Sequence, residues 1–256
     1  MTVCSLGSGS AGNCLLVEEG GTRLLVDLGF SCRHTKSLLA GLGVEMESIS
    51  GVLFTHDHSD HCRGLATFHK CHPGIPLFAN GGTADAIAAL TGVDDGWQVF
   101  ENGEAFSVGD VEVAPFPISH DAADPVGYML NSLFVATDLG CATLPVKYAL
   151  SRARCAVLES NHDPILLEKS DRSLSLKSRI RGRSGHLSNE DAAALVAEAN
   201  PTGLQLMLLA HLSRECNAPH LAVEAMERAF AEMGRSDVSV VALEQDAPSP
   251  RFEVLF

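Results

Sequence analysis

Apolar residues come in short bursts along this chain, and the spacing within each burst predicts an element. Cys14 to Val17 and Arg23 to Asp27 flank Gly20-Gly21, which reads as two strands joined by a tight turn. Cys32 to Leu42 reads as a helix, Gly51 to Thr55 as a strand, His61 to His69 as a helix, Ile75 to Ala79 as a strand and Thr83 to Leu90 as a helix. From Trp97 to Thr137 β-rich stretches are broken at Asn102-Gly103 and Gly109-Asp110, which predicts hairpins. Alternation then returns, with a helix over Val146 to Ser151, a strand over Cys155 to Glu159 and a helix opening at Ser188-Asn189. Ser188 and Asp191 there suit a capping arrangement. A buried strand over Leu204 to Ala210, an amphipathic helix over Pro219 to Met233, and strands over Val238 to Leu243 and Arg251 to Leu255 complete the chain. No short-period repeat or low-complexity linker interrupts it. Helices and strands mixed throughout as two comparable halves predict a single α/β (α+β) domain over residues 1–256, with two mixed sheets face to face and helices outside.

Within this pattern one segment is dense in chemistry. Thr55-His56-Asp57-His58-Ser59-Asp60-His61 follows the apolar Gly51 to Phe54 and sets three imidazoles and two carboxylates in seven residues. Alternate residues of an extended or tightly turned segment point the same way, so His56 and His58 can share one ion while Asp60 and His61 serve another. A polar turn needs Asn, Gly, Ser or one Asp, not this set. The His-Glu-x-x-His and Cys-x-x-Cys spacings of common zinc sites are absent.

Composition narrows the setting. With 46% hydrophobic residues in 256, the chain can bury a full core. The first residues lack the basic and apolar regions of a signal peptide and no stretch approaches a membrane span, which predicts a cytoplasmic protein. Eight isolated cysteines fit reduced, mostly buried thiols. Net charge is −14, which argues against indiscriminate coating of nucleic acid. Yet residues 147–183 hold nine of the eighteen Lys and Arg against four carboxylates, leaving that segment at +5 and the remainder at −19. Such a local basic surface steers an anionic substrate.

Gly7-Ser8-Gly9-Ser10-Ala11-Gly12 imitates a dinucleotide fingerprint, with Asp27 twenty residues after Gly7. The fingerprint requires a helix after its glycines, whereas Asn13 to Val17 reads as a strand. The segment is better read as a serine-rich loop near the site, touching phosphate through Ser8, Ser10 and backbone amides.

The run His-x-His-x-Asp-His resembles the signature of metallo-β-lactamase-fold hydrolases, and four further motifs follow the family order. They are Asp27 in Val-Asp-Leu-Gly, His120 in Ile-Ser-His-Asp, Asp138 in Ala-Thr-Asp-Leu-Gly and His211 in Leu-Ala-His-Leu-Ser. The resemblance implies a four-layer αββα sandwich. It also implies that His56, His58 and His120 hold one divalent ion, that Asp60, His61 and His211 hold a second, and that Asp138 bridges them. Asp27 would orient the ligand loop. Zinc suits these donors first, and manganese or iron also suit them. Two such ions share a bridging hydroxide, so the implied reaction is hydrolysis.

Ser5 to Cys14, Glu159-Ser160-Asn161-His162-Asp163, Gly185 to Asn189 and His211 to Asn217 resemble more narrowly the bacterial YycJ/WalJ-type subfamily. That group is associated with 5′ to 3′ DNA exonuclease activity and is related to tRNase Z and the β-CASP nucleases. The likeness implies a nucleic-acid substrate, DNA before RNA. It makes Asp60, His186 and Glu159 catalytic, with His186 as general acid and Glu159 its partner. Arg179, Arg181 and Arg183 are placed to grip phosphate oxygens bidentately. Two departures stand out: Ser170 to Leu176 lacks the subfamily's Tyr-Pro, and Asp138 to His211 leaves no room for a β-CASP insertion.

The ligand motif also serves small-molecule ester, thioester and lactone hydrolases of the glyoxalase type, and a metal-stabilised regulatory protein without catalysis. His186, Glu159 and the arginines set the phosphodiesterase apart from the first. The intact ligand set argues against the second.

Overall fold

The computed structural model describes residues 1–254 and divides into two compact units. The first comprises residues 1–115, 122–126 and 244–253; the second comprises 116–121 and 127–243, with Val254.

Strands of the first sheet are β1 (Thr2–Gly7), β2 (Cys14–Glu19), β3 (Thr22–Val26), β4 (Gly51–Leu53), β5 (Leu77–Asn80), β6 (Trp97–Phe100) and β14 (Phe252–Glu253). Their order is β14-β1-β2-β3-β4-β5-β6. The β14, β1, β2 and β3 neighbours pair antiparallel, while β3 to β6 are parallel. Helices α1 (Cys32–Gly41), α2 (Ser59–Cys62), α3 (Leu65–Cys71) and α4 (Gly81–Thr91) connect them. Leu16, Leu25, Val52, Phe54, Leu65, Phe68 and Leu77 form the core of this unit. Each such side chain contributes about 1.5–3 kcal/mol by leaving water.

The second sheet runs β13-β12-β11-β10-β9-β8-β7. Its strands are β7 (Phe106–Val108), β8 (Val111–Pro117), β9 (Val126–Leu130), β10 (Leu133–Ala136), β11 (Cys155–Glu159), β12 (Leu206–Ala210) and β13 (Ser239–Ala242). Strands β10 to β13 are parallel, so side chains that end β10, β11 and β12 collect at one edge. Helices α5 (Leu144–Ser151), α8 (Asn189–Ala199) and α9 (Pro219–Glu232) cover Phe134, Leu158, Leu209 and Met226. The Ser188 and Asp191 capping box is formed. Among the described residues no helix is long and apolar enough to cross a membrane. Cys71 is exposed and Cys141 half-buried, and the other six cysteines are buried free thiols.

Four differences from the periodicity have local causes. The helix expected over His61 to His69 is two, α2 and α3, because its carbonyls are diverted. The Asp60 carbonyl accepts from the Asn13 amide at 2.8 Å and that of His61 from Leu28 at 2.7 Å, while the Gly64 amide donates to Leu28 at 2.9 Å. Asn102-Gly103 is not a hairpin: β6 pairs parallel with β5, and the chain then enters the second sheet at β7. Strand β1 is buried on both faces and shows no alternation. Helices α6 (Pro164–Lys169) and α7 (Leu174–Ile180) expose most of their length and bury only Leu167, Lys177 and Ile180. Leu255, the expected end of the last strand, lies outside the described residues.

Candidate metal centre

In the first unit the ligand run is fixed from behind. β3 stops at Val26, and Asp27 takes a left-handed φ of 66°, a conformation non-glycine residues keep only where surroundings enforce it. Its Oδ1 accepts the Thr55 amide at 2.9 Å. Its Oδ2 accepts the Thr55 hydroxyl at 2.9 Å and sits 2.7 Å from His61 Nδ1. A carboxylate can only accept, so His61 Nδ1 carries the proton and Nε2 keeps its lone pair. Thr55 has spent its hydrogen on Asp27, so at 2.9 Å it accepts from His56 Nδ1, and His56 Nε2 likewise keeps its lone pair. The His56 ring lies 4.7 Å from that of His58 and 4.0 Å from that of His61. Asp60 and His61 are joined by Asn13, whose amide nitrogen is 3.2 Å from Asp60 Oδ2 and 3.0 Å from His61 Nε2. Gly29 makes this packing possible: a Cβ there would lie 1.8 Å from the Asp60 carbonyl oxygen and 2.4 Å from the Asn13 nitrogen.

The second unit gathers its groups at the strand edge. Asp138 follows β10 with φ 55° and His211 follows β12 with φ 54°, while Glu159 is the last residue of β11. Glu159, with no exposed surface, is the hub. Its Oε1 accepts from Nδ1 of His186 at 2.7 Å and of His211 at 2.9 Å, and its Oε2 from the amides of Leu139 at 2.8 Å and Leu187 at 3.0 Å. Burial alone would raise this carboxyl. The charge and hydrogen bond of His186, with the hydrogen bond of His211, outweigh it and bring the group down to about 2. Burial pulls His186 down, and Glu159 and Asp138 more than restore it, leaving its pKa raised. His120 Nδ1 donates to the Gly185 carbonyl at 3.0 Å. Asp138 Oδ1 lies 3.2 Å from His211 Nδ1 and 3.8 Å from His120 Nε2. Asp138, Glu159, His186 and His211 offer donor atoms all within 4.8 Å of one another.

Each cluster suits a metal by the chemistry of its donors. In His56, His61, His120 and His211, Nδ1 is engaged by a neighbouring oxygen, the arrangement that fixes the tautomer and presents Nε2 to an ion.

The structure therefore brings His56, His58, Asp60 and His61 together with Asp27 in one unit, and His120, Asp138, Glu159, His186 and His211 in the other. The arginines are placed differently from one another. Arg179 pairs with Asp121 at 2.6 Å, Arg181 pairs with Glu168, and Arg183 is exposed, its carbonyl accepting from Ser119. Ser8 is buried, its amide bonded to the Glu244 carbonyl, and Ser10 is exposed. Three positioning residues escaped the sequence reading: Asn13, Thr55 and Asn161, whose side chain donates to the His211 carbonyl at 2.9 Å. Thr55 adjoins the histidine run, whereas Asn13 and Asn161 lie within the stretches that resemble the YycJ/WalJ-type subfamily.

Residues 22–212 match the Beta-lactamase superfamily domain, and the chain belongs to that family. Its fold is the metallo-β-lactamase fold, shared with the protein YhfI of Bacillus subtilis at a TM-score of 0.72 and 17% identity over 98% of this chain and 99% of that one. Among curated proteins it is similar to the exodeoxyribonuclease YycJ of Bacillus anthracis, 36% identical over 90% of this chain and 89% of the relative. The exodeoxyribonuclease WalJ of Streptococcus pneumoniae serotype 2 is 33% identical over 97% and 96% of the two chains. The chain is thus a metal-dependent hydrolase of this family.

Proposed function

We propose that the protein is a two-metal phosphodiesterase acting as a 5′ to 3′ DNA exonuclease. In this reading His56, His58 and His120 hold one divalent cation, Asp60, His61 and His211 a second, and Asp138 both, with zinc the first choice of metal. Bound there, such cations lower the pKa of water and stabilise charge on a phosphoryl oxygen.

The protein's own part is proton management. The observation that carries the reading is the Glu159–His186 pair at 2.7 Å: the carboxylate engages Nδ1, keeps the imidazole protonated and leaves Nε2–H for a leaving oxygen. Phosphodiester cleavage needs that proton for the departing alkoxide, whereas thioesters leave without it. Because Glu159 also holds His211, the acid and a metal ligand share one support and keep a fixed relation. Asp27 and Thr55 do the same for His56 and His61.

The test combines metal analysis with digestion of 5′-phosphorylated DNA. The expected result is two ions per chain and mononucleotides released from the 5′ end, with His186→Ala slower by about a hundredfold or more. Release of nothing from single- or double-stranded DNA with zinc or manganese would refute the nuclease, and an undiminished His186→Ala variant would refute the acid.

A further inference from the structure

Two of the three arginines before His186 already face carboxylates, so the cations best placed for an anion lie elsewhere. α1 begins Cys32-Arg33-His34-Thr35-Lys36-Ser37 and contains no acidic residue. Arg33, His34, Lys36 and Ser37 are exposed, and among the described residues no carboxylate holds Arg33 or Lys36 in an ion pair. Ser31, Arg33, His34 and Ser37 line an open cavity of about 580 Å³.

This cavity is built into the same unit as the ligand run. The His34 ring packs edge-on against Phe30, centroids 5.3 Å apart, and Phe30 packs against Gly12 of the serine–glycine loop. The Gly29 amide donates to the Asn13 carbonyl at 2.9 Å, and the Asn13 side chain reaches Asp60. Arg63, just after the ligand run, ties the Gly29 and Ala11 carbonyls together. One wall of the cavity is therefore continuous with the support of Asp60 and His61.

On a chain of net charge −14 a polyanion is repelled by most of the surface, so a basic row without counter-charges is where it can settle. Arg33 and Ser37 stand one helical turn apart, about 5.4 Å, along one side of α1. Donors set in an open row suit a phosphate within a running strand better than a terminal phosphate, which calls for an enclosing pocket.

We propose that the cavity lined by Ser31, Arg33, His34 and Ser37, with Lys36 on the same helix, binds a backbone phosphate of the nucleic-acid strand being hydrolysed, outside the scissile linkage. The assignment rests on the nuclease reading and extends it by naming where the strand is gripped.

The experiment measures binding and cleavage of a fluorescent single-stranded 12-mer by the metal-loaded full chain, over a range of salt, for wild type, Arg33→Glu, Lys36→Glu and Arg228→Glu. Arg228, exposed on α9 in the other unit, controls for net charge. Hydrolysis of bis(p-nitrophenyl) phosphate supplies the reference rate. Arg33→Glu and Lys36→Glu should each weaken 12-mer affinity about tenfold and lower the salt slope by about 0.7 per lost contact. Their kcat/KM on the 12-mer should fall about tenfold relative to that on the small diester, and the loss should be equal for 5′-phosphate and 5′-hydroxyl strands. Arg33→Glu and Lys36→Glu proteins that bind the 12-mer like Arg228→Glu overturn the proposal and leave the nuclease standing. A loss confined to 5′-phosphorylated strands overturns the assignment to a backbone phosphate. A wild type that hydrolyses the small diester but neither binds nor cuts any strand removes the nuclease reading, and this inference with it.

Discussion

Glu159→Gln is the sharpest single perturbation of the centre, because the replacement keeps the shape and removes the charge and half the accepting capacity. The native carboxylate accepts four hydrogen bonds, two from imidazole Nδ1–H groups at 2.7 and 2.9 Å and two from amides at 2.8 and 3.0 Å. An amide has one accepting oxygen. Whichever way it is turned, its NH2 faces two donors that were satisfied before and are buried. Bonds to a charged group are worth about 1.5–3 kcal/mol each, so losing two costs about 3–6 kcal/mol. Unfolding of a chain this size shifts by about 2–4 °C per kcal/mol, which predicts a fall in Tm of roughly 6–24 °C. The assay is thermal unfolding with a strong chelator present, so that metal loss does not contribute. A Tm within 2 °C of wild type would refute the hub, since it would mean that the two histidines are held by something else.

Gly29→Ala should be among the most damaging methyl additions, since the new Cβ meets backbone atoms at 1.8 and 2.4 Å and no rotamer can relieve it; urea unfolding of the chelated protein should show a loss above about 3 kcal/mol. His162→Gln should flatten the acid dependence of stability. Burial pushes the His162 imidazole down to about 4, whereas an unfolded one sits near 6.5, so above that pH the group is neutral in both states. As pH falls from 6.5 to 4 only the unfolded chain takes up the proton and wild type loses about 3 kcal/mol, of which about 2 kcal/mol by pH 5. Urea midpoints at pH 7 and pH 5 should therefore differ less in the variant; equal differences would contradict the buried neutral state.

What could be read from the sequence was whatever is local. His56 to His61 are neighbours in the chain, and a polar residue ending an apolar strand marks Asp27, Asp138 and His211 equally well. The left-handed backbone at those three positions has no counterpart in composition, because it is imposed by what packs behind them. Asn13 was hidden for a related reason. It lies in a glycine and serine stretch with no periodicity, and its role depends on Asp60 and His61, forty-seven and forty-eight residues away. The break between α2 and α3 has the same origin, since the amides of Leu28 and Asn13 claim carbonyls that a continuous helix would use.

The two units also divide the labour in a way that the histidine run alone does not suggest. In the first unit the side chains of Asp27 and Thr55 serve to aim imidazoles, which is the requirement for holding a cation and says nothing about what is cut. In the second, one carboxylate serves both His211 and His186, so the ligand and the proton donor of the proposed function rise and fall together. Substitutions at Asp27 should therefore affect metal content first. Substitutions at Glu159 should affect stability, metal content and proton transfer at once, and only His186 offers a position where the proton can be removed while the ligand arrangement stays in place.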